Sequence, residues 1–246
     1  MKVVAIIQAR MSSERLPGKV LKELNGVPMI QCIVNRAGAA KRVDHVVVAT
    51  SDETTDDMLY NFCVENAIST YRGDLNNVLK RYYDCATREK ADIIIRLTGD
   101  NALIDAEILD AAVDIFEKQG VDYLHYCEEL PIGMHIEVFS YEALKRAMDE
   151  ADNSECKEHV TLYMYKNSDK FHCVTYSEKG MVNHSSLRWT IDTPEDYELV
   201  NKIYQSFGTV IFTYQDILDL YERKPELKLI NENIKQKKPE YKGTGK

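Results

Sequence analysis

The chain has 246 residues, 44% of them hydrophobic, and no Gly/Pro-rich linker divides it. This length and composition predict one large hydrophobic core in a single α/β domain, residues 1–230. The formal net charge is −9, from 40 acidic and 31 basic residues. Such a charge would repel a phosphate backbone, so we expect no nucleic-acid partner.

The six cysteines show neither a CxxC pair nor a zinc-ligand spacing. This usage indicates reduced thiols and predicts a cytoplasmic protein. The apolar run in residues 1–7 is too short for the core of a signal peptide or for a membrane span. We therefore expect neither secretion nor a membrane partner.

The first half of the chain alternates between two patterns. Continuous apolar runs predict buried parallel strands at residues 3–7, 45–49 and 93–95. Between and after them, apolar residues recur every three or four positions, which predicts helices at residues 29–41, 55–66, 78–90 and 106–118. The alternation is typical of βαβ crossovers and predicts a mostly parallel central sheet.

A different pattern follows from about residue 122. Extended segments are predicted at residues 133–139, 171–176 and 187–191, separated by helices at 141–150 and 155–167. We interpret residues 122–186 as a small, partly antiparallel α+β subregion that protrudes from the domain.

The last third ends in two helices and a tail. Thr193 as N-cap and Pro194 at the first helical position predict a helix to about residue 206, with another at 214–221. The Lys-rich tail, residues 231–246, is predicted to be flexible.

A basic loop follows the first strand, at the carboxyl end where open α/β sheets bind ligands. Its candidate site residues are Gln8, Ala9, Arg10, Met11, Ser12, Ser13, Arg15 and Lys19. Backbone N–H groups and converging cations suit a triphosphate. The loop matches neither a Walker A motif nor GxGxxG, and a solvated basic loop is the alternative.

Two aspartates end extended segments of the chain. Asp100 follows the strand at 93–95 and a Thr98-Gly99 pair, and Asp192 precedes the helix that starts at Pro194. Two carboxylates with substrate phosphates and water satisfy Mg²⁺. For either aspartate alone, a strand-end cap or a surface ion pair is the favoured interpretation. For Asp196, which follows Asp192 by four positions, interaction with the helix dipole is favoured over a supporting role in the site.

The segment 7–19 resembles the signature of the cytidylyltransferase family, which includes CMP-KDO and CMP-acylneuraminate synthetases. It is most similar to the branch of spore coat polysaccharide biosynthesis protein F. Further similar segments lie in the same order at residues 49–51, 71–74, 96–100, 158–161 and 188–196. The resemblance implies a glycosyltransferase-A-like fold, as in nucleotide-diphospho-sugar transferases, and homodimerisation through the subregion.

The resemblance also implies a reaction and its residues. CMP would pass from CTP to a small acceptor, an acidic or modified sugar for surface polysaccharide, with release of pyrophosphate. Arg15 and Lys19 would contact the β- and γ-phosphates with help from Arg10, and Asp100 and Asp192 would hold Mg²⁺. The remaining nucleotide-binding positions would be Ala49, Thr50, Ser51, Arg72, Gly73, Thr98 and Gly99. For Thr50 and Ser51, simple helix capping is the alternative.

The acceptor positions carry the departures from the family pattern. The branch usually has Asp where this chain has His135, and Asn101 and Lys157 also differ from the usual residues. Asn101, His135, Glu137 and His159 are the candidate acceptor residues, and for both histidines a structural role is the alternative. The departures leave the acceptor more open than the nucleotide chemistry.

Two other functions fit the pattern less well. A glycosyltransferase that consumes a nucleotide sugar would be expected to hold metal through Asp-x-Asp, and the segment Asp100-Asn101-Ala102 lacks the second Asp. A non-catalytic nucleotide-binding module would not need both aspartates and the whole basic loop.

Overall fold

The computed structural model describes residues 1–177 and 179–236. Its strands are β1 Val3–Gln8, β2 Glu23–Leu24, β3 Val27–Pro28, β4 His45–Ser51, β5 Thr70–Gly73, β6 Ile93–Thr98, β7 Tyr123–Tyr126, β8 Ile136–Ser140 and β9 Cys173–Tyr176. Seven of them form one sheet in the order β5-β4-β1-β6-β8-β7-β9, and β2 pairs with β3 in a separate two-stranded ribbon.

The α-helices pack on both faces of the main sheet. They are α1 Met29–Gly38, α2 Asp57–Glu65, α3 Val78–Glu89, α4 Ala106–Gln119, α5 Tyr141–Glu150, α6 Ser154–Glu158, α7 Leu162–Lys166, α8 Pro194–Phe207 and α9 Tyr214–Arg223. Alternate residues of β1 point to opposite faces, so Val3, Ala5 and Ile7 pack with α1, α2, α4, α8 and α9. Val4 and Ile6 pack with α3, α5 and α7. No helix in the described ranges is long and apolar enough to cross a membrane.

The parallel half of the sheet confirms the predicted strands and helices. β1 pairs in parallel with β4 and β6, and β4 pairs in parallel with β5. Sequence patterning missed β5 because its four residues, Thr70–Gly73, are only partly buried and include one Arg and one Gly. The crossovers bring the carboxyl ends of β1, β4, β5 and β6 to one edge.

The segment from residue 122 onward does not protrude as expected. β8 pairs antiparallel with β6, β7 pairs antiparallel with β8, and β9 pairs in parallel with β7. The three strands therefore extend the main sheet, because each offers its neighbour an open backbone edge.

Two predicted elements in this part are wrong in detail. The helix predicted at 155–167 is divided into α6 and α7, and at the division the Thr161 hydroxyl donates to the half-buried Glu137 carboxylate at 2.7 Å. The strand predicted at 187–191 joins no sheet, and Arg188 forms only an isolated bridge with Ile132. This segment instead lies against the loop before β8.

The tail begins later than residue 231. Asn231 is buried, and its amide donates to the backbone oxygen of Arg188 and to Asp196, each at 2.9 Å. These long-range bonds anchor residues that a Lys-rich composition had suggested to be flexible. Residues 237–246 of the predicted tail lie outside the described ranges.

Gly133 is required where residues 188–191 pass the loop before β8. Its φ is +101°, and an added Cβ would lie 2.6 Å from the backbone nitrogen of Thr190. Gly120 also has a positive φ, +59°, but a Cβ there would meet no atom within 4 Å. At both positions a residue with a side chain would be strained by the positive φ, but only at Gly133 would the side chain also collide with a neighbouring segment.

We expect Gly133→Ala to lower the free energy of unfolding by about 3 kcal/mol or more, from backbone strain plus displacement of the Thr190 segment. Gly120→Ala, which adds strain alone, should cost about 1 kcal/mol. Urea unfolding followed by circular dichroism measures both. Equal losses in the two variants would show that the contact with Thr190 contributes nothing.

Candidate functional site

A cleft of about 650 Å³ opens at the carboxyl edge of β1 and β6. Twelve of the residues singled out in the sequence line it: Gln8, Ala9, Arg10, Ser12, Ser13, Arg15, Lys19, Thr98, Gly99, Asp100, His159 and Asp192. The fold therefore brings together the basic loop, both aspartates and one acceptor candidate.

A buried carboxylate ties the basic loop to the end of β4. Asp56, which is fully buried, accepts hydrogen bonds from the backbone nitrogen of Met11 at 2.7 Å and from that of Ser51 at 3.2 Å. The Ser51 hydroxyl also donates to Asp56. Met11 and Ser51 thus support the loop rather than line the cleft.

Small residues let the loops after β1 and β6 touch. The Gly99 N–H donates to the Gln8 carbonyl at 2.8 Å, and a Cβ on Gly99 would lie 2.8 Å from the Cβ of Ala9. Any larger side chain at Gly99 would push the loops apart. This contact places Asp100 beside the basic loop.

The Lys19 ammonium lies between the two aspartates. Its Nζ is 2.9 Å from Asp192 Oδ1, 3.4 Å from Asp100 Oδ2 and 2.7 Å from the backbone oxygen of Ile191. Arg15 contacts the other oxygen of Asp192 at 2.9 Å. Burial alone would raise the pKa of Asp192, but Lys19, Arg15 and Arg188 outweigh it and hold that pKa below its usual value. Asp192 therefore sits in a strongly cationic environment, and Asp100 shares one of its cations, Lys19.

Asp196 holds the backbone of Asp192 in place. It is fully buried and accepts hydrogen bonds from the backbone nitrogens of Asp192 at 3.0 Å and Thr193 at 3.1 Å. Arg188 donates to both Asp196 oxygens, at 2.8 and 2.9 Å, and to Asp192 at 3.1 Å. Asp196 thus closes the capping box of α8 and supports the site, a larger role than the helix-dipole interaction favoured from the sequence.

Sequence and structure comparisons agree on one family. Residues 4–224 match the family model described as cytidylyltransferase. The chain belongs to the cytidylyltransferase family. It is 34% identical over 230 residues to spore coat polysaccharide biosynthesis protein SpsF of Bacillus subtilis, covering 91% of this chain and 95% of that protein.

Two further similarities support this family assignment. A solved cytidylyltransferase structure from Leptospira borgpetersenii superimposes with a TM-score of 0.87 at 34% identity, covering 97% of this chain and 100% of that one. A 3-deoxy-manno-octulosonate cytidylyltransferase of Geobacter metallireducens is 38% identical over 115 residues, 46% of this chain and 44% of that protein. The expected family and the α/β fold with a mostly parallel sheet are thereby confirmed.

The oxygen donors of this cytidylyltransferase suit a hard divalent cation. Asp100, Asp192 and the Ile191 carbonyl all direct oxygen atoms at one point, where the Lys19 ammonium lies. The described residues include no cluster of three or more His, Cys, Asp or Glu that could hold a metal. A bound Mg²⁺ would therefore depend on two carboxylates plus phosphate or water oxygens, which is its usual coordination in phosphate-transfer sites.

In the part of the chain that the structure describes, eight other residues expected in the site do not line the cleft: Met11, Ala49, Thr50, Ser51, Arg72, Gly73, Asn101 and His135. Arg72 donates to the backbone oxygens of Ser51 and Glu53, at 2.9 and 2.8 Å, and pairs with Asp57 at 2.7 Å. It therefore clamps the loop after β4. The half-buried His135 bonds the Leu130 carbonyl at 3.1 Å, and burial, with His125 nearby, lowers its pKa.

Glu137, the ninth of these residues, lies in a partly buried polar network beside the cleft. Its carboxylate accepts hydrogen bonds from the hydroxyls of Tyr123 at 2.6 Å and Thr161 at 2.7 Å, and it pairs with Arg96. Burial would raise the pKa of Glu137, but the Arg96 charge lowers it below its usual value. Glu137 therefore supports Arg96, which does line the cleft.

Sequence analysis missed several other residues of the cleft, among them Arg81, Arg96, Ser154 and Glu158. Arg81 is only 4% exposed and donates to the Asp74 carbonyl at 2.7 Å. Both arginines left a signal in the sequence. Arg81 interrupts the apolar positions of a predicted helix, and Arg96 interrupts an apolar strand.

Two capping boxes provide a test of the Asp196 network. Asp196 in α8 and Asp216 in α9 both occupy the third helical position, but only Asp196 is fully buried and paired with Arg188. We expect Asp196→Asn to lower the free energy of unfolding by about 3 kcal/mol, since Arg188 loses its fully buried charge partner and keeps the contact with Asp192 at 3.1 Å. Asp216→Asn should cost about 1 kcal/mol. Thermal unfolding of both variants measures these two losses. Equal losses of unfolding free energy would contradict a special role for the pair of Asp196 with Arg188.

Proposed function

We propose that this cytidylyltransferase transfers CMP from CTP to a small acidic or modified sugar and releases pyrophosphate. The observation that carries the proposal is the convergence of Arg15, Lys19, Asp100 and Asp192 in one cleft. Nucleotidyl transfer from a triphosphate needs both cations for the leaving pyrophosphate and carboxylates for a metal. Family membership supports the reaction class, and the name of the Geobacter relative supports a sugar acid as acceptor.

The proposed reaction is an in-line displacement at the α-phosphate of CTP by an acceptor oxygen. A bond forms from the acceptor oxygen to the α-phosphorus while the bond from that phosphorus to the α,β-bridging oxygen breaks. Pyrophosphate leaves with the bridging oxygen, and the acceptor hydroxyl loses its proton. The reaction depends chiefly on positioning and on neutralising charge, so no covalent enzyme intermediate is needed. Arg15 and Lys19 would bind the departing phosphates, and Arg10 lies in the same loop.

Asp100 and Asp192 would hold Mg²⁺ in this proposal. When bound, the cation supplies charge neutralisation at the phosphates and lowers the pKa of an attached hydroxyl. The chain's own contribution is to keep Asp192 ionised and to orient both carboxylates. Lys19 and Arg15 stabilise their negative charge, and Arg188 and Asp196 fix the Asp192 backbone and side chain.

The ion pairs of Lys19 and Arg15 also bear on nucleotide binding. Both cations contact Asp192 at 2.9 Å, so each must exchange at least part of that contact for a phosphate oxygen. A cation that replaced the Lys19 ammonium between the aspartates would compensate for the lost charge. Metal and triphosphate are therefore expected to bind with positive coupling.

The principal alternative is a glycosyltransferase of similar fold that consumes a nucleotide sugar. It would release a nucleoside diphosphate or monophosphate rather than pyrophosphate. Asn101 and Ala102 after Asp100 do not supply the second carboxylate that such an enzyme is expected to use.

The proposed function is tested by measuring pyrophosphate release from the four NTPs with a panel of acceptors and Mg²⁺. We expect CTP to be preferred, and Asp100→Asn and Asp192→Asn each to lower turnover by orders of magnitude while the protein remains folded. Preference for another NTP would contradict cytidylyl transfer. Normal turnover in either variant at saturating Mg²⁺ would remove that aspartate from the metal site.

A second prediction concerns the leaving group. Arg15→Ala and Lys19→Ala should each weaken CTP about ten- to a hundred-fold, because a charge-assisted hydrogen bond contributes about 1.5–3 kcal/mol. CMP, which lacks the β- and γ-phosphates, should be affected much less. Titration calorimetry with both nucleotides provides the measurement.

Lys22→Ala serves as the matched control, since Lys22 follows the loop closely but does not line the cleft and lies over the ring of Tyr197. It should leave both affinities unchanged. Equal weakening of CTP and CMP in the Arg15 and Lys19 variants would place these side chains away from the terminal phosphates.

We also propose a cytoplasmic homodimer that uses residues 122–186. The edge strand β9 belongs to this segment, and an open strand edge favours a protein partner. Analytical ultracentrifugation at micromolar concentration tests the dimer, and a monomer would contradict it.

A further inference from the structure

The last described segment of the chain, residues 225–236, lies outside the range that matches the family model, which ends at residue 224. We call this segment the strap. It begins with a short 3₁₀ helix, Pro225–Leu229, and the buried side chain of Leu227 packs in the core that contains α8 and α9. The rest of the strap returns to Arg188, four residues before the candidate metal ligand Asp192. The strap therefore adds contacts to the support of the site.

The first of these contacts comes from Asn231, which is only 5% exposed. Its amide nitrogen donates to the carbonyl of Arg188 and to Asp196 Oδ1, each at 2.9 Å. One amide thus holds both the backbone of an arginine and the carboxylate with which the side chain of that arginine pairs. Burying an amide is costly unless it is hydrogen-bonded, and a leucine would fill a similar volume without that cost. The two donors of Asn231 therefore fix Arg188 relative to Asp196.

The second contact comes from Gln236, whose side chain is exposed. Its amide oxygen accepts a hydrogen bond from Nη1 of Arg188. The other guanidinium nitrogens, Nε and Nη2, donate to Asp196 at 2.8 and 2.9 Å, and Nη2 also reaches Asp192 Oδ2 at 3.1 Å. Gln236 thus holds the one nitrogen of this guanidinium that is not bonded to a carboxylate.

The orientation of Arg188 matters because Asp192 is already surrounded by cations. Lys19 contacts Oδ1 of Asp192 at 2.9 Å, and Arg15 and Arg188 contact Oδ2 at 2.9 and 3.1 Å. Each cation on this carboxylate competes with a divalent metal for the same oxygens. A guanidinium free to turn would present both Nη atoms to Asp192 as a bidentate pair, which is a stronger competitor than one shared hydrogen bond.

We infer that Asn231 and Gln236 are positioning residues of the metal site, and that they act through Arg188. They keep the guanidinium on Asp196 and thereby leave Asp192 available to a divalent cation. Neither strap residue touches the substrate in this arrangement. The inference rests on the proposed function, in which Asp192 holds Mg²⁺. Groups that orient metal ligands in this indirect way typically change metal affinity about ten- to a hundred-fold when they are replaced.

The test uses two variants of the strap and a control for each. Gln236→Ala removes the acceptor of Nη1 at an exposed position, where the substitution leaves folding intact. Gln236→Glu keeps an acceptor oxygen and is the conservative variant. Asn231→Leu removes both buried donors at similar volume, and Asn233→Leu makes the same change at an exposed position of the strap.

The measurement is CTP affinity by titration calorimetry, without acceptor, in EDTA and at a series of Mg²⁺ concentrations. We expect Mg²⁺ to raise the affinity of the wild type. The Mg²⁺ concentration that gives half of this increase should rise about tenfold in Gln236→Ala and in Asn231→Leu. Affinity in EDTA and turnover at saturating Mg²⁺ should stay close to wild type. Gln236→Glu and Asn233→Leu should behave as the wild type does.

An unchanged Mg²⁺ requirement in Gln236→Ala would overturn the inference, as would a loss of CTP affinity in EDTA equal to the loss in Mg²⁺, which indicates general loosening. A defect in Gln236→Glu as large as that in Gln236→Ala would also contradict it. Asp192→Asn is the reference and should abolish the increase with Mg²⁺. If Asp192→Asn keeps that increase, the metal role in the proposed function fails. If only the strap variants keep the wild-type Mg²⁺ requirement, the inference alone fails.

Discussion

The ammonium of Lys19 between Asp100 and Asp192 is the interaction on which the site depends. The fold brings two carboxylates from separate segments close enough to repel each other, and in a partly buried cleft such repulsion is costly unless a cation intervenes. Lys19 and Arg15 supply that charge from the loop after β1. The loop and the aspartates therefore form one electrostatic unit, and a change in either alters the other.

That unit is supported by a buried polar network on the α8 side. Asp196 joins the backbone of Asp192, the guanidinium of Arg188 and the amide of Asn231, which come from three separate parts of the chain. Because every donor around Asp196 is used, the network can hold Asp192 in one orientation. A single carboxylate thus serves as helix cap, ion-pair partner and support for the candidate metal ligand.

A second polar network lies under the other end of the cleft. Arg96 and Glu137 interrupt the apolar contact of β6 with β8, and Tyr123 and Thr161 complete the hydrogen bonding. One network thus supports Asp192 beside the loop after β1, and the other supports Arg96.

The sequence by itself determined the parallel α/β half, the start of α8, the basic loop and the two aspartates, because buried strands, capped helices and charged loops leave local patterns. It missed β5, the division between α6 and α7, and the anchoring of Asn231. Each of these depends on partners distant in sequence: β4, Glu137 and the Arg188–Asp196 pair. Only the tertiary structure decided that Arg96 lines the cleft while Glu137 and His135 do not, since alternation along a strand predicts the face of a residue but not what covers it.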